Sequence, residues 1–453
     1  MKESTSSFFK GLFTPKTLMA PGIYKFDGEG KFKGHRFHLR VDESNDGVLI
    51  IDASKMIYLN GTALEFAKHS IEGKSSDDVV RDFRKRYRKV DKDKIEGDYK
   101  MIRSKLLGLL RGKHEIELNI EFVPYDSRDL ALPAPYRMDI ALTYKCQNEC
   151  IHCYNEERIV KELKTEEWMM AIDKMWEYGI PHIVFTGGEP TLRKDLPKLI
   201  AKSEENGQIT GLITNGRKLS EPGYLKELTK LGLDHVQITV ESHNAKTHDK
   251  IVKDEGAWEE TIAGLKTAIK EDVYVSTNTT ILEDNFDEIL DTVKFLHEIG
   301  VKKISCNSLI RAGSGKRAKT VTFEELKSLL LEVKGFTDAN DIDFVWYTPT
   351  PYCELNPINL DLGIRNCTAC SINLACEPNG DVLPCQSYYE PLGNILSDPW
   401  DAIWQAPLCV EIRSRGHLPG KCEDCELLGL CGGGCPLSIK AGDYLCTEGF
   451  SST

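Results

Sequence analysis

Between residues 138 and 309 the chain alternates short apolar runs with longer stretches that repeat apolar residues every three or four positions. The runs 138–143, 182–186, 210–214, 235–240, 273–280 and 302–309 read as strands. Amphipathic stretches lie between them. In one, Thr165 reads as an N-cap and Trp168, Ile172, Met175 and Trp176 fall on one face. Strands alternating with helices of this length predict right-handed βαβ units and a parallel sheet. Such folds gather ligands at the C-terminal ends of their strands.

The pattern before residue 138 is different. Residues 1–20 are polar and Ser/Thr-rich and read as a flexible leader. Residues 21–115 read as a small α+β unit with short strands at 37–41, 48–52 and 56–59. Asn60-Gly61 makes a turn, and helices follow at 62–70, 76–88 and 92–111. Ser76 reads as the N-cap of the second helix, whose Val79, Val80, Phe83 and Tyr87 share a face. Residues 116–136, with Pro124, Pro133 and Pro135, read as a linker. The parallel unit is placed at 137–350, and a cysteine-rich extension occupies 351–453.

Composition adds exclusions. The 453 residues are 41% hydrophobic and 28% charged, an ordinary globular balance. A net charge of −12 argues against a nucleic-acid partner. No apolar run approaches the roughly 20 residues of a membrane helix, and the N-terminus lacks the apolar core of a signal peptide. The expected location is the cytoplasm. Fifteen cysteines in that reducing setting point to metal or redox use rather than to disulfides. Cys306, Cys353 and Cys409 stand alone and read as plain thiols; nearly all the others cluster.

The most telling cluster is Cys146, Cys150 and Cys153, in ALTYKCQNECIHCYNEE directly after the first strand of the parallel unit. Three thiolates this close can hold three corners of a 4Fe–4S cube and leave the fourth iron open. A structural cluster has four cysteine ligands, and an open position marks a site that binds a further ligand. The alternatives are a zinc knuckle or three buried thiols. The spacing Cys-x3-Cys-x2-Cys, with His152 before the last cysteine and Tyr154 after it, resembles the signature of radical S-adenosylmethionine (SAM) enzymes. The resemblance implies a partial (βα)6 barrel and an open iron that chelates SAM. It also implies reductive cleavage of SAM to a 5′-deoxyadenosyl radical, with an electron drawn from a low-potential donor such as flavodoxin or ferredoxin.

Other segments fit that resemblance. Thr186-Gly187-Gly188-Glu189-Pro190 ends the second strand and is similar to the family's GGE segment, which implies that Gly187, Gly188 and Glu189 bind the amino group of SAM. Thr214 and Asn215 end strand three and resemble a segment lining the SAM pocket. Glu241 and Ser242 end strand four, where relatives contact the ribose. Arg311, after strand six, is a candidate partner for the SAM carboxylate, and Tyr154 belongs to the same cofactor-binding set.

The C-terminal field contains Cys422, Cys425, Cys431 and Cys435 as Cys-x2-Cys-x5-Cys-x3-Cys in KCEDCELLGLCGGGCP, flanked by Cys367, Cys385 and Cys446. It resembles the SPASM extension, which carries two auxiliary 4Fe–4S clusters. By position Cys422, Cys425, Cys431 and Cys446 match one ligand set, and Cys367, Cys385 and Cys435 match three ligands of the other. Cys370 and Cys376 both lie in the loop that would supply the fourth, and a cluster with an open iron is a further option. A structural zinc site also takes four thiolates. Relatives that oxidise a residue of sulfatases carry Asp after the cysteine equivalent to Cys385. Gln386 stands here and cannot act as a base, which disfavours that activity.

The 21–115 unit resembles the winged-helix-like, PqqD-like domain that binds leader peptides, with strand 37–41 as the edge for an added peptide strand. A DNA-binding winged helix is the alternative for the basic run Arg81, Arg84, Lys85, Arg86 and Arg88, and the acidic whole argues against it. The leading expectation is a radical SAM enzyme that modifies a ribosomally synthesised precursor peptide by thioether or C–C crosslinking or dehydrogenation. Two alternatives stay open: oxidative tailoring of a small molecule such as a porphyrin or cofactor precursor, and a non-catalytic iron–sulfur or zinc protein.

Overall fold

The computed structural model describes residues 19–42, 45–52, 55–87, 91–110, 133–156 and 158–442. Residues 1–18 of the predicted leader, Arg88, most of the linker and Cys446 lie outside them, while Met19 is buried in the core of the first unit. Two compact units emerge, Met1–Val123 and Pro124–Thr453.

In the first unit β1 (Gly22–Asp27), β2 (Arg36–Val41), β3 (Gly47–Ile51) and β4 (Lys55–Leu59) form an antiparallel sheet in sequence order. Helices α1 (Gly61–Ile71), α2 (Ser76–Arg86) and α3 (Lys92–Leu110) follow. Phe37, Leu39, Leu49 and Ile51 pack with Leu64, Ile71, Leu106 and Leu109 into the core. A second cluster forms where Phe66 stacks on Phe83 with Tyr99 alongside. The 22–27 strand has no alternating apolar pattern and was not expected. Because it pairs with β2 throughout, residues 37–41 are an interior strand and not the expected edge. Two local expectations also change. Asn60 caps α1, accepting from the Ala63 N–H at 2.9 Å, instead of making a free turn. Ser75, not Ser76, caps α2 in a reciprocal box with Asp78.

The second unit is built on a ten-stranded sheet. Its parallel strands are β5 (Arg137–Thr143), β6 (His182–Gly187), β7 (Ile209–Thr214), β8 (His235–Thr239), β9 (Tyr274–Ile281), β10 (Lys303–Ser308) and β11 (Asp343–Trp346). Between them run α4 (Thr165–Glu177), α5 (Leu196–Asn206), α6 (Tyr224–Lys230), α7 (Ala245–Val252), α8 (Ala257–Ala268), α9 (Ile289–Glu298) and α10 (Phe323–Ala339). All six predicted strands are present, and β11 is a seventh. Thr165 is the first helical residue of α4; the cap is Lys164, whose N–H donates to Glu167 at 2.7 Å.

The sheet does not close on itself. Beyond β5 lies β12 (Asn373–Cys376), parallel to it, followed by antiparallel β13 (Asp381–Leu383) and β14 (Gly393–Asn394). The C-terminal extension thus enters the main sheet next to its first strand, which the spacing of cysteines does not foretell. Short helices α11 (Trp400–Trp404), α12 (Pro407–Ser414), α13 (Leu428–Cys431) and α14 (Pro436–Ala441) complete it. Among the described residues no helix is long and apolar enough to cross a membrane.

His69 in α1 is fully buried and both ring nitrogens lack a hydrogen-bond partner. Burial, then Lys74 and Lys68, push its pKa down to about 4, so the folded unit holds it neutral. The unfolded chain takes up the proton near pH 6.5. Stability is therefore intact above that value and is lost as pH falls towards 4. Hydrogen exchange of amides in α1 and α2 should accelerate over this window, and His69→Leu should flatten the dependence.

Candidate functional site

The cysteine loop leaves the C-terminal end of β5 and is tied to its neighbours through backbone. Glu149 N–H donates to Val252 O at 3.0 Å, and Ile151 N–H to Ile251 O at 2.9 Å. The side chain of Asn148 accepts from Arg217 Nη1 at 2.7 Å, and Arg217 is itself paired with Asp254 and Glu260. Neither Asn148 nor Arg217 carries a motif, so sequence reading passes over both. Cys146, Cys150 and Cys153 come close enough that Cys153 raises the pKa of the other two and Cys146 that of Cys150. Burial is the larger cause, and it lifts Cys146 to about 11 and Cys150 well above its ordinary value. Thiols held protonated by burial and mutual repulsion favour a cationic group that would take them as thiolates.

Gly187 ends β6 and Gly188 follows it, and neither has room for a side chain. A Cβ on Gly187 would lie 2.2 Å from Thr143 O, and one on Gly188 2.3 Å from Lys145 O. Gly187 also has φ +132°. Their bareness lets the turn press against the backbone of the cysteine loop, where Gly188 and Glu189 N–H groups donate to Thr143 O and Lys145 O. Glu189 is fully buried. Its Oε1 accepts from Thr191 N–H (3.0 Å), Thr191 Oγ1 (2.6 Å) and Thr214 Oγ1 (2.8 Å), and its Oε2 from Asn215 N–H (2.9 Å). Burial raises its pKa and these bonds offset part of that. The carboxylate thus locks the ends of β6 and β7 together.

A cavity of about 1020 Å³ opens over the strand ends. Its wall includes all three loop cysteines with Tyr154, Gly187, Gly188, Thr214 and Asn215, which the structure does bring together. Glu241, Ser242, Glu189 and Arg311 are not on that wall. Glu241 is buried behind it, taking Thr280 N–H at 2.9 Å and facing His152 Nε2 at 3.0 Å. Ser242 turns towards Glu288 and Asn244. Arg311 donates to Ala318 O at 3.1 Å, while Arg317 lines the cavity. Three buried atoms of wall residues, Asn215 Nδ2, His152 Nδ1 and Asn278 Oδ1, have no hydrogen-bond partner among the described residues. Orphaned polar atoms on a cavity wall call for a polar ligand.

The same cavity is bounded on its far side by Cys367, Cys385 and Cys435. Burial is the main cause that raises the pKa of Cys367, to about 11, and of Cys385, and Cys435 adds to both. Cys370 feels Cys367 and Cys385, whereas Cys376 feels only Asp381 and Glu377. Of the two, Cys370 is the one near Cys367 and Cys385. Cys409 is not an isolated thiol, since it is hydrogen-bonded to Cys370. Cys306 is a buried core thiol as expected. In the remaining group Cys431 feels Cys425, and the N–H of Cys425 donates to Cys422 O at 3.2 Å. Gly432, Gly433 and Gly434 all have φ between +62° and +84°, which lets the chain wrap from Cys431 back to Cys435. Cys353 is disulfide-bonded rather than free. Its chain neighbour Tyr352 donates its N–H to Cys431 Sγ at 3.3 Å, which places Cys353 beside this group. Arg415, absent from any motif, donates to both Gly432 O and Cys367 O and lies between the two groups.

Among the described residues no three such donors converge on a single-ion site.

Residues 140–296 match the model of the Radical SAM superfamily, and residues 367–426 match that of SPASM, an iron–sulfur cluster-binding domain. Among curated proteins the chain is 28% identical to Fe-coproporphyrin III synthase of Methanosarcina barkeri over 324 residues, 64% of this chain and 81% of that protein. It is 26% identical to the PqqA peptide cyclase of Granulibacter bethesdensis over 313 residues, 65% and 80%. In fold it is similar to SuiB of Streptococcus suis bound to the precursor peptide SuiA, with a TM-score of 0.64 at 18% identity, covering 89% of this chain and 95% of that one.

Gly188→Ala tests the contact beneath the loop. Its Cβ would meet two backbone oxygens, Lys145 O at 2.3 Å and Tyr144 O at 2.6 Å, and no rotamer change relieves that. The variant should load fewer iron atoms at the triplet and melt several degrees lower, read by iron assay and calorimetry.

Proposed function

Because the chain carries a radical SAM domain followed by a SPASM iron–sulfur domain, we propose that it modifies a ribosomally synthesised precursor peptide, by thioether or C–C crosslinking or dehydrogenation. Cys146, Cys150 and Cys153 hold the first cluster and leave one iron for SAM. Reduced cluster and SAM together supply a 5′-deoxyadenosyl radical able to take hydrogen from an unactivated carbon. Asn215 Nδ2 and His152 Nδ1 bind the polar groups of SAM, and Glu189 holds the turn and the end of β7 in place from behind. Cys367, Cys370, Cys385 and Cys435 serve one auxiliary cluster; Cys422, Cys425 and Cys431, with Cys446, serve the other. The wall shared by the triplet and Cys367, Cys385 and Cys435 supports a substrate held between a radical source and an electron acceptor. A low-potential donor such as flavodoxin or ferredoxin, in the cytoplasm, completes the cycle.

One observation carries the peptide reading. The fold likeness to SuiB covers 89% of the chain, more than the second unit alone contains. The first unit is therefore part of the likeness, and SuiB is described with a bound precursor peptide. An incoming peptide strand would add at β1 or β4, the two outer strands of that sheet. Small-molecule tailoring is the second reading, favoured by the similarity to Fe-coproporphyrin III synthase, which spans about two thirds of the chain.

Anaerobic reconstitution should give about twelve irons per chain for three 4Fe–4S clusters; about four with bound zinc would defeat the auxiliary assignment. Cys150→Ala should abolish 5′-deoxyadenosine formation, and Cys431→Ala should keep part of it while losing product. Mass spectrometry of a short peptide encoded beside the gene decides the substrate. A loss of two hydrogens supports peptide maturation, and turnover of a porphyrin instead supports the second reading.

A further inference from the structure

Glu377 directly follows β12, the strand that the C-terminal extension lays against β5, and Tyr144 directly follows β5 itself. The Glu377 side chain is fully buried. Its Oε1 accepts from Tyr144 Oη at 2.7 Å and from Arg158 Nη1 at 2.8 Å. Its Oε2 is buried with no hydrogen-bond partner. A buried carboxylate oxygen left bare is costly, and such groups are normally met by protein or by ordered water.

Beside it lies a small pocket of about 10 Å³, the space of a single water. Thr186, Gln386 and Tyr154 supply polar groups to its wall, and all three also line the main cavity. Tyr154 Oη donates to Gln386 Oε1, so polar groups continue from one space to the other. Gln386 cannot take a proton; Glu377, in the same wall, can.

We propose that Glu377 is the proton store of the reaction cavity, reached through one water held between its Oε2 and the polar groups of Thr186 and Gln386. An acidic X–H group of the substrate breaks, its electron pair stays on X, and the proton moves along the water to form an O–H bond at Oε2. Glu377 passes from carboxylate to neutral acid without a change of oxidation state. Oε1 stays anchored by Tyr144 and Arg158, so the side chain holds its place in both states. The groups facing it are Tyr144, Arg158, Tyr389, Asp381 and Cys376. Burial raises its pKa above the ordinary carboxylate range; Tyr144 and Arg158 work against that and Asp381 with it. The assignment rests on the cavity being the reaction site, but its test needs no turnover.

The iron–sulfur-loaded protein, kept anaerobic, is examined by high-resolution diffraction and by infrared difference spectroscopy from mildly acidic to mildly basic pH. Density for one water bonded to Glu377 Oε2 is expected, with a protonated-carboxyl band that titrates and is missing in E377Q. That substitution keeps the Oε1 hydrogen bonds. In T186V the band should persist, while its exchange in heavy water slows roughly tenfold as the bridging water is displaced. If E377Q fails to load clusters, T186V carries the test. A dry pocket, a band surviving in E377Q, or exchange unaltered in T186V overturns the proposal. Failure of the wild type to cleave SAM would instead overturn the functional reading and leave the titration standing.

Discussion

The contact on which the rest depends is a backbone one. The turn after β6 lies against the start of the cysteine loop so closely that neither Gly187 nor Gly188 has room for a methyl group. Two parallel strands are thereby joined at their C-terminal ends as well as along their ladder. The loop is then pinned from the other side by α7 and Arg217. Three thiols that repel one another as they ionise are held together by a frame that cannot yield. Packed interiors shift between discrete arrangements rather than stretching, and a metal site preformed in this way loses little by ordering on binding.

The same electrostatic situation recurs across the cavity. Cys367, Cys385 and Cys435 are half-buried; desolvation raises the pKa of Cys367 and Cys385, and Cys435 adds to both. Arg415 offsets this from between the two C-terminal groups, lowering the pKa of both Cys367 and Cys431. Its own backbone sits at φ +64° to reach that place, a conformation that a residue other than glycine adopts only where its surroundings enforce it. A cation between groups of thiolates is what two neighbouring anionic clusters would require.

Legibility in the sequence followed locality. The six strands of the parallel unit and the cysteine triplet were readable because each declares itself within a few residues, through apolar runs or tight spacing. The GGE turn was readable as a motif, but its packing against the cysteine loop was not, because that depends on Thr143 and Lys145, some forty residues earlier. Glu241, Ser242 and Arg311 were assigned by the default that strand ends face the cavity, and the structure adds the local hydrogen bonds that hold each of them. Strand 22–27 lacks alternation because neither of its faces is fully buried, so the sheet edge was assigned to its neighbour. Asn148, Arg217, Arg415 and Glu377 act through partners far along the chain and leave no local signature. Cys353 looked solitary for the same reason.

The pairing of β12 with β5 also bears on how the chain is made. During synthesis β5 emerges more than two hundred residues before the strand that covers its outer edge. Through that interval the first strand of the catalytic unit presents unpaired backbone groups, the feature that invites wrong pairing. The C-terminal extension therefore covers the outer edge of β5 as well as carrying cysteines. A ribosome must deliver nearly the whole protein before its cysteine loop rests on a finished sheet.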